Sequence, residues 1–252
     1  MDLCLRNSMK PIIAIALLFE VSSAFSFNLK GHPSMQLGGY WSSQGKAQHI
    51  NILDTIGDDF SVSTRQDSNV TVGAGQDSNV AVGAGYFIDG AEKTSFQLSY
   101  GINIFYLAKT SVSGYVTQEN LFTNLSYSYD VSHLPLLAVA KATINTQSPQ
   151  YAFTVDLGIG PNFMRTSSFS EQAIDGISIP EYPFSVHTTT TFSAMTGIGV
   201  KLNNLIGPTP LECGYKFFYL GQGHFSNNNS QVTNTLNTGN DYAHAVMCSI
   251  TV

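Results

Sequence analysis

From Phe96 to Tyr106 the side chains alternate. Phe96, Leu98, Tyr100, Ile102, Ile104 and Tyr106 fall on one face, and Gln97, Ser99, Gly101, Asn103 and Phe105 on the other, with Phe105 alone out of pattern. The same period of two runs through Leu121 to Val131, Tyr151 to Phe163, Leu211 to Tyr219 and Tyr242 to Val252. A helix repeats every 3.6 residues and cannot use such a pattern; a strand can. These segments run nine to thirteen residues, whereas strands of soluble proteins average about five or six. Tilted strands of about 9–11 residues are what a bilayer demands. The spacing therefore predicts an all-β chain, a closed antiparallel transmembrane β-barrel. The competing arrangement is a secreted β-sandwich, with shorter strands and an apolar side packed on a partner sheet.

The polar face separates the two. Charged residues make up 11% of the chain, against about 25% in soluble domains. A sandwich would need more of them facing water. In a small barrel the few that exist face the lumen: Lys141, Asp156, Lys201, Glu212 and Lys216. There they must find partners, and Glu212 is expected to meet Lys201 or Lys141. Lys216, four residues further along the same strand, is about 13 Å away and cannot pair with Glu212. Gly101, Gly158, Gly160, Gly197, Gly199 and Gly214 share this face and let a wall close tightly. Tyr106, Tyr127, Tyr129, Tyr151, Tyr219 and Tyr242 lie near strand ends on the apolar face, as in the aromatic girdles of membrane barrels. The net charge of −6 and the absence of any basic run argue against nucleic acid as a partner.

The first 26 residues read as a secretory signal. Arg6 and Lys10 precede a short apolar run, Ile12 to Phe19, and Ser22-Ser23-Ala24 offers a cleavage site, with cleavage after residue 24 or 26. Glu20 ends the run too early for a spanning helix. Residues 27–34 form a short lead and 35–252 the barrel. No later segment is apolar for 18 residues, so helices do not carry this chain across a membrane.

With a signal peptide, alternating strands, the Gly-rich VDLGIGPNFM and MTGIGVKL segments and LECGYKFFYLGQG, the chain resembles small bacterial outer-membrane β-barrels of the OmpA/OmpX-like kind, including surface antigens. The resemblance covers about residues 34–252. It implies location in the outer membrane, contact with outer-membrane lipid, handling by the barrel-insertion machinery, and contacts with host or envelope components through external loops. Such proteins usually end in an aromatic residue; this chain ends Ile250-Thr251-Val252, apolar at both positions without the aromatic.

Candidate strands lie at 35–43, 48–64, 79–88, 94–107, 117–130, 134–145, 151–165, 187–202, 209–222 and 241–252. Ten strands are favoured, and eight result if 35–64 is partly loop or two segments merge. Residues 203–208 suit a short turn; 166–186 and 222–240 suit long external loops, the latter read as solvated. The tandem repeat QDSNVTVGAG and QDSNVAVGAG, Gln66 to Gly75 and Gln76 to Gly85, has an even length and keeps every side chain on its face. The second copy, continuing into Tyr86-Phe87, is expected to cross the membrane and the first to project beyond it.

Signals of chemistry are sparse. The histidines, at 32, 49, 133, 187, 224 and 244, form no metal-binding spacing. His224, His244 and Asp241 flank the last loop and read as polar rim residues, so no catalytic residue, metal or cofactor is nominated. Cys213 and Cys248 could be joined across adjacent strands in an oxidising compartment; two lipid-facing thiols are the plainer reading. An eight- to ten-stranded lumen is filled or nearly filled by side chains. The expected role is structural or surface-interacting through external loops. A narrow channel for small solutes or ions is the alternative, and an outer-membrane enzyme with a site at the barrel mouth a distant third.

Overall fold

The alternating segments form strands, and the strands close on themselves. The computed structural model describes residues 31–52, 57–62, 75–119, 121–206, 209–228 and 230–252. The signal segment and all but the last residue of the first repeat copy lie outside them. In chain order the strands are β1 (Gly31–Gln44), β2 (Gln48–Ile50), β3 (Asp58–Val62), β4 (Gly75–Lys93), β5 (Phe96–Gln118) and β6 (Phe122–Asn145). There follow β7 (Tyr151–Ala173), β8 (Phe184–Ser185), β9 (His187–Ile206), β10 (Thr209–Gly221), β11 (Ser226–Asn227) and β12 (Asp241–Thr251). Eight of them pair antiparallel in a ring, β1-β4-β5-β6-β7-β9-β10-β12 and back to β1. The barrel thus has eight strands among the described residues, not ten.

Two differences from the sequence reading account for the count. The described residues of 48–64 do not cross; β2 pairs with β3, and β3 with the upper end of β5, above the belt. From Phe122 on, the expected strands 117–130 and 134–145 are one strand, β6, while Thr117 and Gln118 end β5. The β5–β6 pairing lapses between Ile104↔Leu136 and Leu107↔His133, and Leu134 and Pro135 fall in that break; the register itself shifts just beyond, between Leu107 and Thr110. Proline, which has no N–H to donate, is tolerated where a ladder is interrupted.

The ring is built opposite to a water-soluble protein. Facing outward, Leu37 is 62% exposed, Ile102 60%, Leu157 59% and Ile198 64%. Facing inward, Asn103, Asp156 and Lys216 are buried. On β7 the outward residues run from Tyr151 to Phe163 before Arg165. That is about 40 Å along the strand and about 30 Å of height at the usual tilt. Hydrocarbon is the solvent that such a belt requires. At its loop end Trp41 stacks on His244 with ring centres 5.6 Å apart, His244 Nδ1 lies 2.5 Å from the Tyr215 hydroxyl, and Tyr219 and Tyr242 pack beside them. Glycines on the inner face let strands approach: a Cβ on Gly101, Gly160 or Gly214 would collide with the carbonyl of Tyr86, Leu136 or Ile198.

Leu157→Arg, at mid-belt, is expected to cost about 2–4 kcal/mol of folding stability in lipid. At an exposed site of a water-soluble sheet the cost would stay within about 0.5 kcal/mol. Urea titration of protein folded into vesicles distinguishes the two, and a cost of the smaller size would remove the belt.

Above the belt the two faces exchange chemistry. Along upper β6 Leu125, Tyr127, Tyr129 and Val131 point inward and are buried, while Ser126, Ser128 and Asp130 point away. Tyr127 and Tyr129 therefore belong to an interior, not to a girdle. Along upper β5 the change follows the register shift: Thr110, Val112 and Val116 turn inward, and Ser111, Ser113 and Thr117 outward. Water, not lipid, surrounds this part, so its apolar side chains pack together. They form a second core with Ile50, Phe60, Met164, Phe184, Phe225, Val232 and Leu236.

The described residues of the 222–240 segment, expected to be solvated, are folded into this cap. Side-chain amides stand in for strand backbone at its contacts with 48–51. Asn234 accepts from Asn51 N at 2.6 Å and donates to His49 O at 2.8 Å; Gln48 exchanges two bonds with the Asn237 backbone. The second repeat copy crosses the belt within β4, with Val80, Val82 and Tyr86 outward and Ala81 buried inward. Its polar start has a task as well. Asn79 donates to Lys109 O at 2.6 Å and Asp77 accepts from Ser111 N at 2.8 Å, bonding β5 where its own ladder is irregular.

Candidate functional site

Three tiers of side chains fill the bore. Nearest the short turns is the charge network. Lys141 Nζ lies 2.7 Å from Glu212 Oε2 and 3.8 Å from Asp156 Oδ1, and Lys216 Nζ pairs with Asp156 Oδ2. Thr154 donates to Glu212 Oε1 at 3.1 Å, and Phe87 presents its ring face to Lys141 at 5.1 Å. Four of the five lumen charges read from the sequence thus meet, two of each sign. Lys201 is the ladder partner of Glu212 and faces a cavity of about 370 Å³ at the turn end, shared with His32 and Asp89.

Next comes an apolar tier. Phe105 meets Phe218 edge-on at 5.2 Å, among Tyr40, Leu137, Val139, Met195 and Met247. The Tyr40 hydroxyl donates to the carbonyl of Ala108. Phe105 was the one residue out of pattern in its segment, and Phe218 sits on the otherwise polar face of β10. Large aromatics on a lumen face were the signal of this plug.

The third tier is polar and sealed. His133 Nε2 lies 3.8 Å from Asp241 Oδ2, with both side chains fully buried. Asn162 Nδ2 reaches His133 Nδ1 at 3.2 Å and the carbonyl of Leu220 at 2.8 Å. Ser42 and Gln44 both donate to Thr110 Oγ1. A histidine beside an aspartate resembles a base with its orienting group, but catalysis needs a substrate within reach, and neither side chain touches solvent. The rim trio is also split up: Asp241 faces the lumen, His244 the belt, and His224 the cap, where Thr189 Oγ1 is 3.3 Å from its Nδ1. His133 fell between the expected strands 117–130 and 134–145 and was given no role there.

Cys213 and Cys248 sit opposite each other on β10 and β12, Cα atoms 4.0 Å apart, and are joined by a disulfide on the outer wall.

A second open cavity is in the cap. A cleft of about 400 Å³ has Ile50, Phe60, Leu125 and Val232 as its apolar lining and Asp58, Glu119, Glu171 and Glu181 as its charged one. Glu171 Oε2 accepts from the backbone N–H groups of Glu181 and Tyr182 at 3.1 and 3.2 Å. Burial pushes the Glu171 carboxyl above the usual carboxylate range, and Asp58 and Glu181 add to this; burial likewise raises Asp58, helped by Glu181, Asp59 and Glu119. Nearby, the His187 and His224 rings lie 4.4 Å apart, and burial and then His187 hold His224 below its ordinary value. The sequence singled out none of these cleft residues, because they come from four separated segments and share no motif.

A pH dependence follows. A carboxyl raised on folding stabilises the folded cap fully below its unfolded value, about 4.3 for Glu, and that contribution is lost as pH rises through the folded value. Glu171→Gln keeps an acceptor and removes the titration. The stability of the variant relative to the parent is expected to be pH-independent below about pH 4 and to shift in the variant's favour towards pH 7. Hydrogen exchange of cap amides at both pH values measures it; a difference that stays flat with pH would exclude the effect.

No family model matches the sequence, and no curated protein does. Among solved structures, the outer membrane protease OmpT from Escherichia coli aligns at 6% identity over 91% of this chain and 99% of that one, with a TM-score of 0.48. The outer membrane protein OprG from Pseudomonas aeruginosa aligns at 14% identity, over 89% and 97%, with a TM-score of 0.45. The Neisserial surface protein NspA aligns at 12%, over 87% and 96%, with 0.41. The likeness concerns the barrel fold, and no residue role is carried over from it.

Proposed function

We propose that the chain is a bacterial outer-membrane β-barrel with a structural and surface-interaction role, held by outer-membrane lipid and presenting its folded cap outside the cell. The observation that carries the reading is the exchange of faces along β5 and β6: apolar outward in the belt, apolar inward in the cap. One solvent cannot produce both patterns. The basic n-region and apolar run of residues 1–26 support export, and insertion machinery is the partner implied for assembly. Host or envelope components would meet the cap. The test is protease added to intact cells. Cleavage within 222–240, with the belt strands protected, is expected; protection of the cap until the envelope is opened would overturn the outward orientation.

A narrow channel for solutes or ions would need a continuous polar bore. The Phe105–Phe218 tier interrupts it. Planar-bilayer recordings are expected to show no steady current, and steady currents would replace this reading with the channel.

A further inference from the structure

The cap cleft combines an apolar lining with charges of one sign. Phe60, Leu125 and Val232 line it together with Asp58, Glu119, Glu171 and Glu181, with no Lys or Arg among the described lining residues. Glu171 is 3% exposed, and both of its backbone donors reach one oxygen, Oε2. A carboxylate so placed among others is held at an electrostatic cost that a bound positive charge would offset. The carboxylates do not close on a metal ion: among the described residues no three His, Cys, Asp or Glu side chains converge as ligands. The apolar part of the lining calls for a hydrocarbon or aromatic body, and a cavity of about 400 Å³ is of small-ligand size.

We propose that this cleft binds a small organic cation with an apolar body, its ammonium directed at Glu171 and Asp58 and its body laid on Phe60 and Leu125. The proposal rests on the reading of the cap as the interacting face. Charge complementarity selects this ligand class: among the described lining residues an anion would meet only like charge, and a neutral apolar molecule would dehydrate the carboxylates without offsetting their charge.

The experiment uses the full chain in lipid nanodiscs, with phenethylammonium as probe and ligand-observed NMR as readout. Empty nanodiscs correct for partition into lipid. 2-Phenylethanol has the same body without the charge, and 3-phenylpropanoate has the opposite charge. Phenethylammonium is expected to bind about tenfold more tightly than the alcohol, with no binding of the anion. Glu171→Gln should remove about tenfold of that affinity. Glu119→Gln, which leaves the bonds to Glu181 and Tyr182 untouched, should weaken it by about twofold and covers the case in which Glu171→Gln disturbs the cap. Equal binding of amine and alcohol, or binding indifferent to both variants, overturns the proposal. Surface exposure is read separately by the protease test. A surface-exposed cap that ignores the amine overturns this inference alone. Amine binding by a cap that proves not to face outward overturns the orientation and supports the cleft.

Discussion

Asp156→Ala is expected to destabilise the barrel by about 3–5 kcal/mol, the usual cost of removing one partner from a buried ion pair. The charges lie in the bore, with Lys216 and Asp156 side chains 8% and 4% exposed. Removing the carboxylate leaves Lys216 without its partner among the described ion pairs, while Lys141 keeps Glu212 at 2.7 Å. The uncompensated ammonium sits below the Phe105–Phe218 plug, in a poorly hydrated space. The turn-end cavity is lined by Lys141 and Glu212 and not by Lys216. Replacing both partners by apolar residues, Asp156→Leu with Lys216→Met, should recover most of the loss, since no charge is then stranded. Trp41 is the single tryptophan and lies on the outer wall, so its fluorescence during urea unfolding reports on the barrel directly. A loss under about 1 kcal/mol, the scale of a solvated pair, would mean that water fills this part of the lumen.

The same network shows what sequence can deliver. Alternation places Lys141, Asp156, Glu212 and Lys216 on one wall face, and a lumen face forces charges to pair, so their meeting was legible. Which charge meets which was only half legible: Glu212 has Lys201 as ladder partner yet bonds Lys141 across the bore. Curvature of a closed wall decides this, and no local pattern encodes it. The strand count failed for a related reason. Pattern-reading assumes that one solvent faces each side of a strand throughout its length. At Val131 to His133 the surroundings change from water to lipid, the apolar face changes sides, and the alternation looks broken while the backbone runs on through β6. The cleft was illegible because Asp58, Glu119, Glu171 and Glu181 come together only when the cap folds.

Phe225→Ala is expected to remove about 3–5 kcal/mol from the cap and little from the barrel. Phe225 is buried, and its ring meets Tyr129 at 5.1 Å, Phe169 at 5.9 Å and Phe184 at 6.2 Å. It therefore ties the 222–240 segment to upper β6, upper β7 and β8 at once. The three rings that meet Phe225 are held on strands, which limits how far the cavity left by its loss can collapse. Two separate clusters of buried apolar residues, one in the bore and one in the cap, predict two separable responses. In the variant, amides of 222–240 should exchange fast and added protease should cut there, while the urea midpoint read by Trp41 stays near the parent value. Phe105→Ala in the plug should do the reverse. If Phe225→Ala lowers the barrel midpoint as much as it loosens the cap, cap and barrel unfold as one unit and the two-solvent division fails as an account of stability. If they separate, the cleft goes with the cap: Phe60, Leu125 and Val232 belong to the same cluster as Phe225, so amine binding should vanish from a barrel that is still folded and still in the membrane.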